Sequence, residues 1–344
     1  MDVENYHSKP LRQLIVILLL SGIGMTFATI YDESFSAWLR SHNSELLKYY
    51  LAPSIFELER VGASDLTIFV MITCLIGYVV ASAHELKQWP KLYTQTAQRK
   101  FLYPPFFNSV TTMRRLRPQL GFILVNALCS ALLAVHTIKW LMARPRPKQV
   151  LRGDYPFTEW YEVGGQFIGN GIYRGSFPSG HTAAIIALLG VAYCLVYCGK
   201  TRRARAIGYF FFLYTWCGSV LMATHRVMSG AHWFSDVVFT IFCGWIITHA
   251  LFYWGFRVPQ RVEATTNSEQ YAQVKPFSEL LLCIYLFLFC FGIVLLSFSI
   301  RSVLIPHTPM LFILFPLGIA LCYFSYKGAR KTGCFNFSQR EGDQ

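Results

Sequence analysis

Residues 175–199 read "GSFPSGHTAAIIALLGVAYCLVYCG" and hold no Asp, Glu, Lys or Arg. The second half is apolar enough to sit in hydrocarbon. The entry is not: Pro178, Ser179, Gly180, His181 and Thr182 stand together there. Polar residues inside membrane helices are costly and mark sites. Seven further runs lack those four charged types: 13–31, 66–84, 118–138, 206–225, 237–256, 280–300 and 302–326. A spanning helix needs about 20 mostly apolar residues, so each run is long enough. The last carries Pro306, Pro309 and Pro316. The predicted fold class is all-α, a polytopic membrane helical bundle.

Composition agrees. Of 344 residues, 54% are hydrophobic and 14% charged, and the mean hydropathy is +0.38. Soluble domains carry roughly a quarter charged residues. The net charge is +13, from 31 Lys plus Arg. With a cytoplasmic N-terminus, the cytoplasmic segments are 1–12, 85–117, 200–205, 257–279 and 327–344, and they hold 20 of those 31 cations. This positive-inside bias places both termini in the cytoplasm. The charge therefore reads as topology, and nucleic acid is not an expected partner. The first run reads as a span rather than a cleaved leader. Most of the 10 cysteines fall within spans, none falls in a predicted outer loop and no CxxC pair occurs, so neither disulfides nor a cysteine-bound metal is expected.

Between the spans, residues 32–64 mix aromatics and charges at helical spacing, which suggests an amphipathic helix in the outer interface. Residues 85–117 are basic and aromatic and face cytoplasmic headgroups. Residues 148–177 form a long outer loop rich in Gly and aromatics.

On this map "KWLMARPRP" (139–147), the "PSGHT" entry and "HRVMSGAHWFSD" (225–236) reach one membrane face. Lys139, Arg146 and Arg226 lack matching carboxylates nearby in sequence. Converging cations imply an anion, and guanidinium forks match phosphate oxygens. Ser179, Gly180 and His181 open a helix, whose free N–H groups favour an anion. Gly180 lets the backbone approach closely. His232 and Asp236 are four apart, so they share a helix face. The Asp would fix the imidazole tautomer. His181 and His232 could then supply a proton donor and a nucleophile. The set suits phosphoryl transfer through a phosphohistidine, with no metal and no cofactor. Taken singly, Arg144 and Arg146 read as interfacial anchors, and Gly180 as helix packing. His84, His136 and His249 read as packing or interface residues. Asp236 resists such a reading, because an acid one turn into a membrane helix needs a partner.

Together these stretches resemble the signature of the type 2 phosphatidic acid phosphatase superfamily, which also contains glucose-6-phosphatases and vanadium haloperoxidases. Its pattern is K-x(6)-R-P, then P-S-G-H, then S-R-x(5)-H-x(3)-D. Lys139 and Arg146-Pro147 keep the first spacing, Pro178 to His181 the second, and Arg226, His232 and Asp236 the third. His225 stands where the family has Ser. The resemblance implies a six-helix phosphatase core over 1–256. A cytoplasmic linker over 257–279 and a transmembrane hairpin with tail over 280–344 lie beyond it. It implies that Lys139, Arg146, Arg226, Ser179 and Gly180 bind phosphate, that His232 attacks phosphorus, that Asp236 orients it and that His181 protonates the leaving oxygen. It implies a lipid substrate in the bilayer, a phospholipid, polyprenyl or lipid A phosphate, met at the extracytoplasmic face of a bacterial inner membrane. Two other readings stand beside hydrolysis: a lipid phosphotransferase with the same intermediate, and an anion or lipid transporter using the cations for binding.

The topology is directly testable. Single cysteines placed in 148–177 of a cysteine-free variant are expected to react with impermeant thiol reagents from outside, and cysteines in 200–205 are not. Reversed labelling would put the three stretches in the cytoplasm.

Overall fold

The computed structural model of the chain describes residues 3–42, 65–85, 110–163, 175–266, 275–304 and 309–335. Among these no strand occurs. Eight helical segments are long and apolar enough to cross a membrane: Ser8–Ser41, Asp65–Ala83, Arg115–Leu151, Gly180–Cys198, Arg202–Met228, Phe234–Gly255, Ser278–Val303 and Met310–Lys331. The protein is an all-α polytopic membrane bundle, and each charge-free run overlaps one of these segments.

Its helices are α1 (Val3–Ser41), α2 (Asp65–Glu85), α3 (Val110–Ala127), α4 (Ala134–Met142), α5 (Pro147–Leu151) and α6 (Gly180–Ile186), then α7 (Leu189–Cys198), α8 (Arg202–Met228), α9 (Phe234–Ala250), α10 (Val258–Glu263), α11 (Ser278–Leu304) and α12 (Leu314–Lys331). A π-helical turn, Leu128–Leu133, joins α3 to α4. Beside it the buried Asn126 donates to the carbonyl of Ala187 at 3.1 Å, where the chain breaks between α6 and α7. A buried amide without a partner would cost about 1–3 kcal/mol. Two helix irregularities thus satisfy each other.

The apolar core lies where α3, α7, α8 and α9 face one another, around Phe122, Ile186, Leu189, Tyr193, Val227 and Ile241. Large apolar side chains on α1, α2, α11 and α12 are exposed instead, among them Leu19, Ile23, Phe69, Phe287 and Phe324. Without water outside, an exposed leucine costs nothing, so hydropathy marks these helices as spans but not which face packs.

Residues 32–41, the described start of the stretch expected to be an amphipathic helix, are helical and set off from the rest of α1 by a kink at Tyr31 (φ −111°, ψ 15°). Side-chain capture holds them. Asp32 and Ser36 are buried and bound by α9 through Ser235 and the Phe234 N–H. Residues 43–64, 86–109, 164–174 and 267–274 lie outside the described set, and with them most of the basic segment 85–117 and the middle of the loop 148–177.

The C-terminal pair α11 and α12 is anchored at the end of the bundle opposite the "PSGH" entry. Glu279, fully buried at the start of α11, accepts from Tyr78 Oη at 2.7 Å and pairs with Arg261 of α10. Gly121 makes room, since a Cβ there would lie 2.7 Å from Glu279 Cγ. Val258, Arg261 and Val262 are buried with it, so the start of the segment between core and hairpin packs on the core. Removing one partner of a buried pair strands the other charge, at about 3–5 kcal/mol. Glu279→Ala is expected to cost about 3 kcal/mol, read as a lower unfolding midpoint in detergent. An unchanged midpoint would mean that the hairpin is not anchored there.

Candidate active site

The first stretch leaves α4 through Ala143, which adopts a left-handed conformation (φ 46°). Pro145 and Pro147 cannot continue the helix interior. Arg146, half-exposed, precedes α5, where its N–H donates to Gln149 Oε1 at 3.0 Å. Lys139 is buried, and its Nζ donates to the carbonyls of Gly175 and Ser176, each at 3.2 Å. The Ser176 N–H donates to the Arg144 carbonyl at 2.7 Å. Gly175 is required at this crossing: a Cβ would lie 2.5 Å from Arg144 N and 2.6 Å from Arg144 O. Residues 139–146 are thereby welded to the loop that enters α6.

In that loop Ser179 is fully buried at the N-cap of α6. Its Oγ accepts from Thr182 Oγ1 at 3.0 Å, and its N–H donates to Thr240 Oγ1 at 2.9 Å. Thr240 in turn donates to the Asp236 carbonyl at 2.5 Å. Gly180 and His181 are half-buried. A Cβ on Gly180 would have Val135 Cγ1 as its nearest neighbour, at 3.7 Å, so the protein itself leaves this position open.

The third stretch follows α8. The Arg226 carbonyl accepts from the N–H groups of Ala231 and His232, at 3.1 and 3.3 Å, folding His232 back towards Arg226. His232 is buried and precedes the helix, since α9 begins at Phe234. The shared helix face expected from their spacing is therefore not what joins His232 to Asp236. Asp236 instead reaches back across the first turn. Its Oδ2 accepts from the Trp233 N–H at 2.8 Å and lies 3.6 Å from His232 Nδ1. That is ion-pair range but longer than a hydrogen bond. Its Oδ1 accepts from Arg144 at 2.7 Å. Helix capping and contact with the imidazole fall on one carboxylate.

With this geometry in place, residues 120–260 match the PAP2 superfamily. The match takes in all three polar stretches. Searches of curated proteins and of solved structures returned no match. The match points to phosphatase chemistry on phosphate esters, in a protein whose helices are those of an integral membrane protein.

All eight residues singled out from sequence lie in the PAP2 segment. His181 is within electrostatic reach of Arg226, His232, His225 and Lys139. His249, by contrast, sits at the opposite end, in contact with Tyr193 Oη and the Pro10 carbonyl, both at 3.0 Å, as a packing histidine would. Arg144 is not an interfacial anchor. It is fully buried, with Nε donating to the Thr158 carbonyl and its terminal nitrogens to Ser235 Oγ, Asp236 and Asp32. Sequence reasoning missed Asp32, Ser235 and Thr240. Asp32 did carry a signal: it is the first acid after a charge-free span, where a carboxylate needs a partner.

Burial pushes the His232 imidazole down to about 4, with Lys139 and Arg226 adding to the drop and Asp236 opposing it. It is neutral at pH 7. Between pH 6.5 and 4 the unfolded chain binds a proton here that the folded protein does not, so this site costs stability as pH falls through that window. Acidification from pH 6.5 to 5 is expected to destabilise the protein by about 1–2 kcal/mol through this group. His232→Asn should flatten that part of the curve of unfolding midpoint against pH in detergent. An unaltered curve would show that folding does not depress the His232 titration.

Proposed function

We propose that the protein is a membrane phosphatase of the inner membrane of a bacterium. It hydrolyses a lipid phosphomonoester or diphosphate at the extracytoplasmic face, through a phosphohistidine on His232. The observation that carries the reading is the placement of a buried, neutral His232 beside Asp236, at the span ends where Lys139, Ser179, Gly180 and Arg226 also lie. Both termini are cytoplasmic in this reading. It is supported by the 20 of 31 cations assigned to the other side. A phospholipid, polyprenyl or lipid A phosphate suits a site at the ends of apolar helices, where the phosphate meets the cradle and the chains stay in the bilayer.

Lys139, Arg146 and Arg226 neutralise the phosphate oxygens, and Ser179 and the backbone at Gly180 complete the cradle. Charge-assisted bonds of this kind stabilise the extra charge of the transition state. Asp236 holds the proton on Nδ1 of His232, leaving the lone pair of Nε2 to attack phosphorus. The bond to the leaving oxygen breaks as His181 donates its proton to that oxygen. Water then attacks the P–N bond, giving its proton to His181. Phosphate departs, and both histidines return to their starting states. Residues 1–256 form the catalytic core in this reading.

The test uses purified protein, a panel of lipid phosphates and acid-labile phosphoenzyme trapping. His232→Ala is expected to abolish turnover and leave no phosphoenzyme. His181→Ala is expected to slow phosphoenzyme formation by about 10²–10⁴ with alkoxide leaving groups and far less with good ones. Phosphoenzyme in the His232 variant would overturn the nucleophile assignment.

A further inference from the structure

The contacts of Arg144 leave it no part in holding phosphate. Nε is bound to Thr158 O at 2.8 Å, one terminal nitrogen to Ser235 Oγ and Asp236 Oδ1 at 2.7 Å each, and the other to Asp32 Oδ2 at 2.6 Å. Rings of Trp233 and Phe157 lie 5.6 and 5.4 Å from its centre. This cation is turned inward, against the carboxylate that faces His232. Taken alone, that contact works against the reaction. An arginine bound to Asp236 cancels the negative charge that should steady His232 as it becomes cationic on phosphorylation. Asp32 restores it. Asp32 Oδ1 accepts from the Ser235 N–H at 2.8 Å, and Oδ2 accepts from Ser235 Oγ and Arg144 at 2.6 Å each. Two carboxylates bonded to one guanidinium leave one net negative charge, and Glu159, within electrostatic reach of Arg144 and Asp32 but bonded to neither, stays as it is in the variants below.

We infer that Asp32, on the first span and outside the PAP2 segment, is a positioning residue for the phosphoryl transfer. With Ser235 it fixes Arg144 against Asp236 and returns a net negative charge to the side facing His232. The inference rests on the function proposed above. A staple between α1 and α9 needs no charge, because apolar replacements of buried ion pairs are often neutral or stabilising. A triad that ends on the carboxylate beside the nucleophile does need its charges to balance.

The other charged and titratable groups facing His232 are Lys139, Arg226 and, through the same cluster, His181 and His225. None of these is bonded to Asp32, so Asp32→Asn leaves the phosphate cradle intact. In that variant kcat is expected to fall about 10- to 100-fold, the scale seen when an outer partner of a reactive group is lost. Orthovanadate inhibition should change less than about threefold, well under the 1.4 kcal/mol of a tenfold effect. ¹⁵N NMR of the histidines should show His232 protonating at lower pH, because a negative charge has gone. The double variant Asp32→Asn/Arg144→Gln removes both charges and leaves Asp236 uncancelled. It is expected to regain activity over the single variant and to return the His232 titration towards wild type. A folded Asp32→Asn protein with wild-type kcat and unmoved His232 titration would overturn the inference, as would a double variant worse than the single. If the single variant does not fold, the double variant alone decides, by whether its His232 titrates as in wild type. Failure of the proposed function looks different: wild type would then form no phosphoenzyme on any lipid, while the NMR titration would still read the charge on Asp32.

Discussion

The guanidinium of Arg144 is the contact on which the end of the bundle that carries the candidate site depends. It is buried with two carboxylates, one from α1 and one from α9, and it lies in the turn that follows α4. Stripping three charged groups of water costs several kcal/mol each, and only dense hydrogen bonding offsets it. That bonding is present. Ser235, Thr158 and the Trp233 N–H occupy most of the remaining donors and acceptors, and Trp233 Nε1 reaches the Pro145 carbonyl at 2.9 Å. The loop carrying His232 has its course fixed by these bonds rather than by any helix of its own.

A division of labour follows. Outer spans meet lipid and tolerate exposed Leu, Ile and Phe, because hydrocarbon makes no demand on them. Inner helix ends carry the polar groups, and several are paired across elements: Lys139 to 175–176, Ser179 to Thr240, Ser235 to Asp32. Gly175 shows how tightly this is drawn, since one methyl group would collide with the Arg144 backbone. The spans act as rigid posts, and the candidate site residues sit at the short junctions between them.

Much of this was legible in the sequence. Charge-free runs announced the spans, because hydropathy over about 20 residues is a one-dimensional property. The three polar stretches announced the site, because their internal spacings are fixed by local backbone. What stayed hidden is tertiary. Asp32 and Arg144 are 112 residues apart, and neither spacing nor composition pairs them. Arg144 beside Arg146 looked like one of two anchors, although one is buried and the other half-exposed. The His232–Asp236 spacing suggested a helix face, yet the helix starts at Phe234 and the contact is made by a capping carboxylate reaching backward. Helical spacing over 32–64 was legible, but nothing in Asp32 or Ser36 hints that α9 will cover them.

The clasp at the opposite end sets an order of biosynthesis. Tyr78, Arg117 and Arg261 all emerge from the ribosome before Glu279, the acid that Tyr78 and Arg261 bond and that lies within electrostatic reach of Arg117. Tyr78 and Glu279 are separated by 201 residues. Six spans are already made when the seventh delivers that carboxylate. The bundle therefore cannot close its second end while the chain is half synthesised. Until α11 is made, Arg117 and Arg261, both buried in the finished protein, lack the carboxylate that Glu279 supplies.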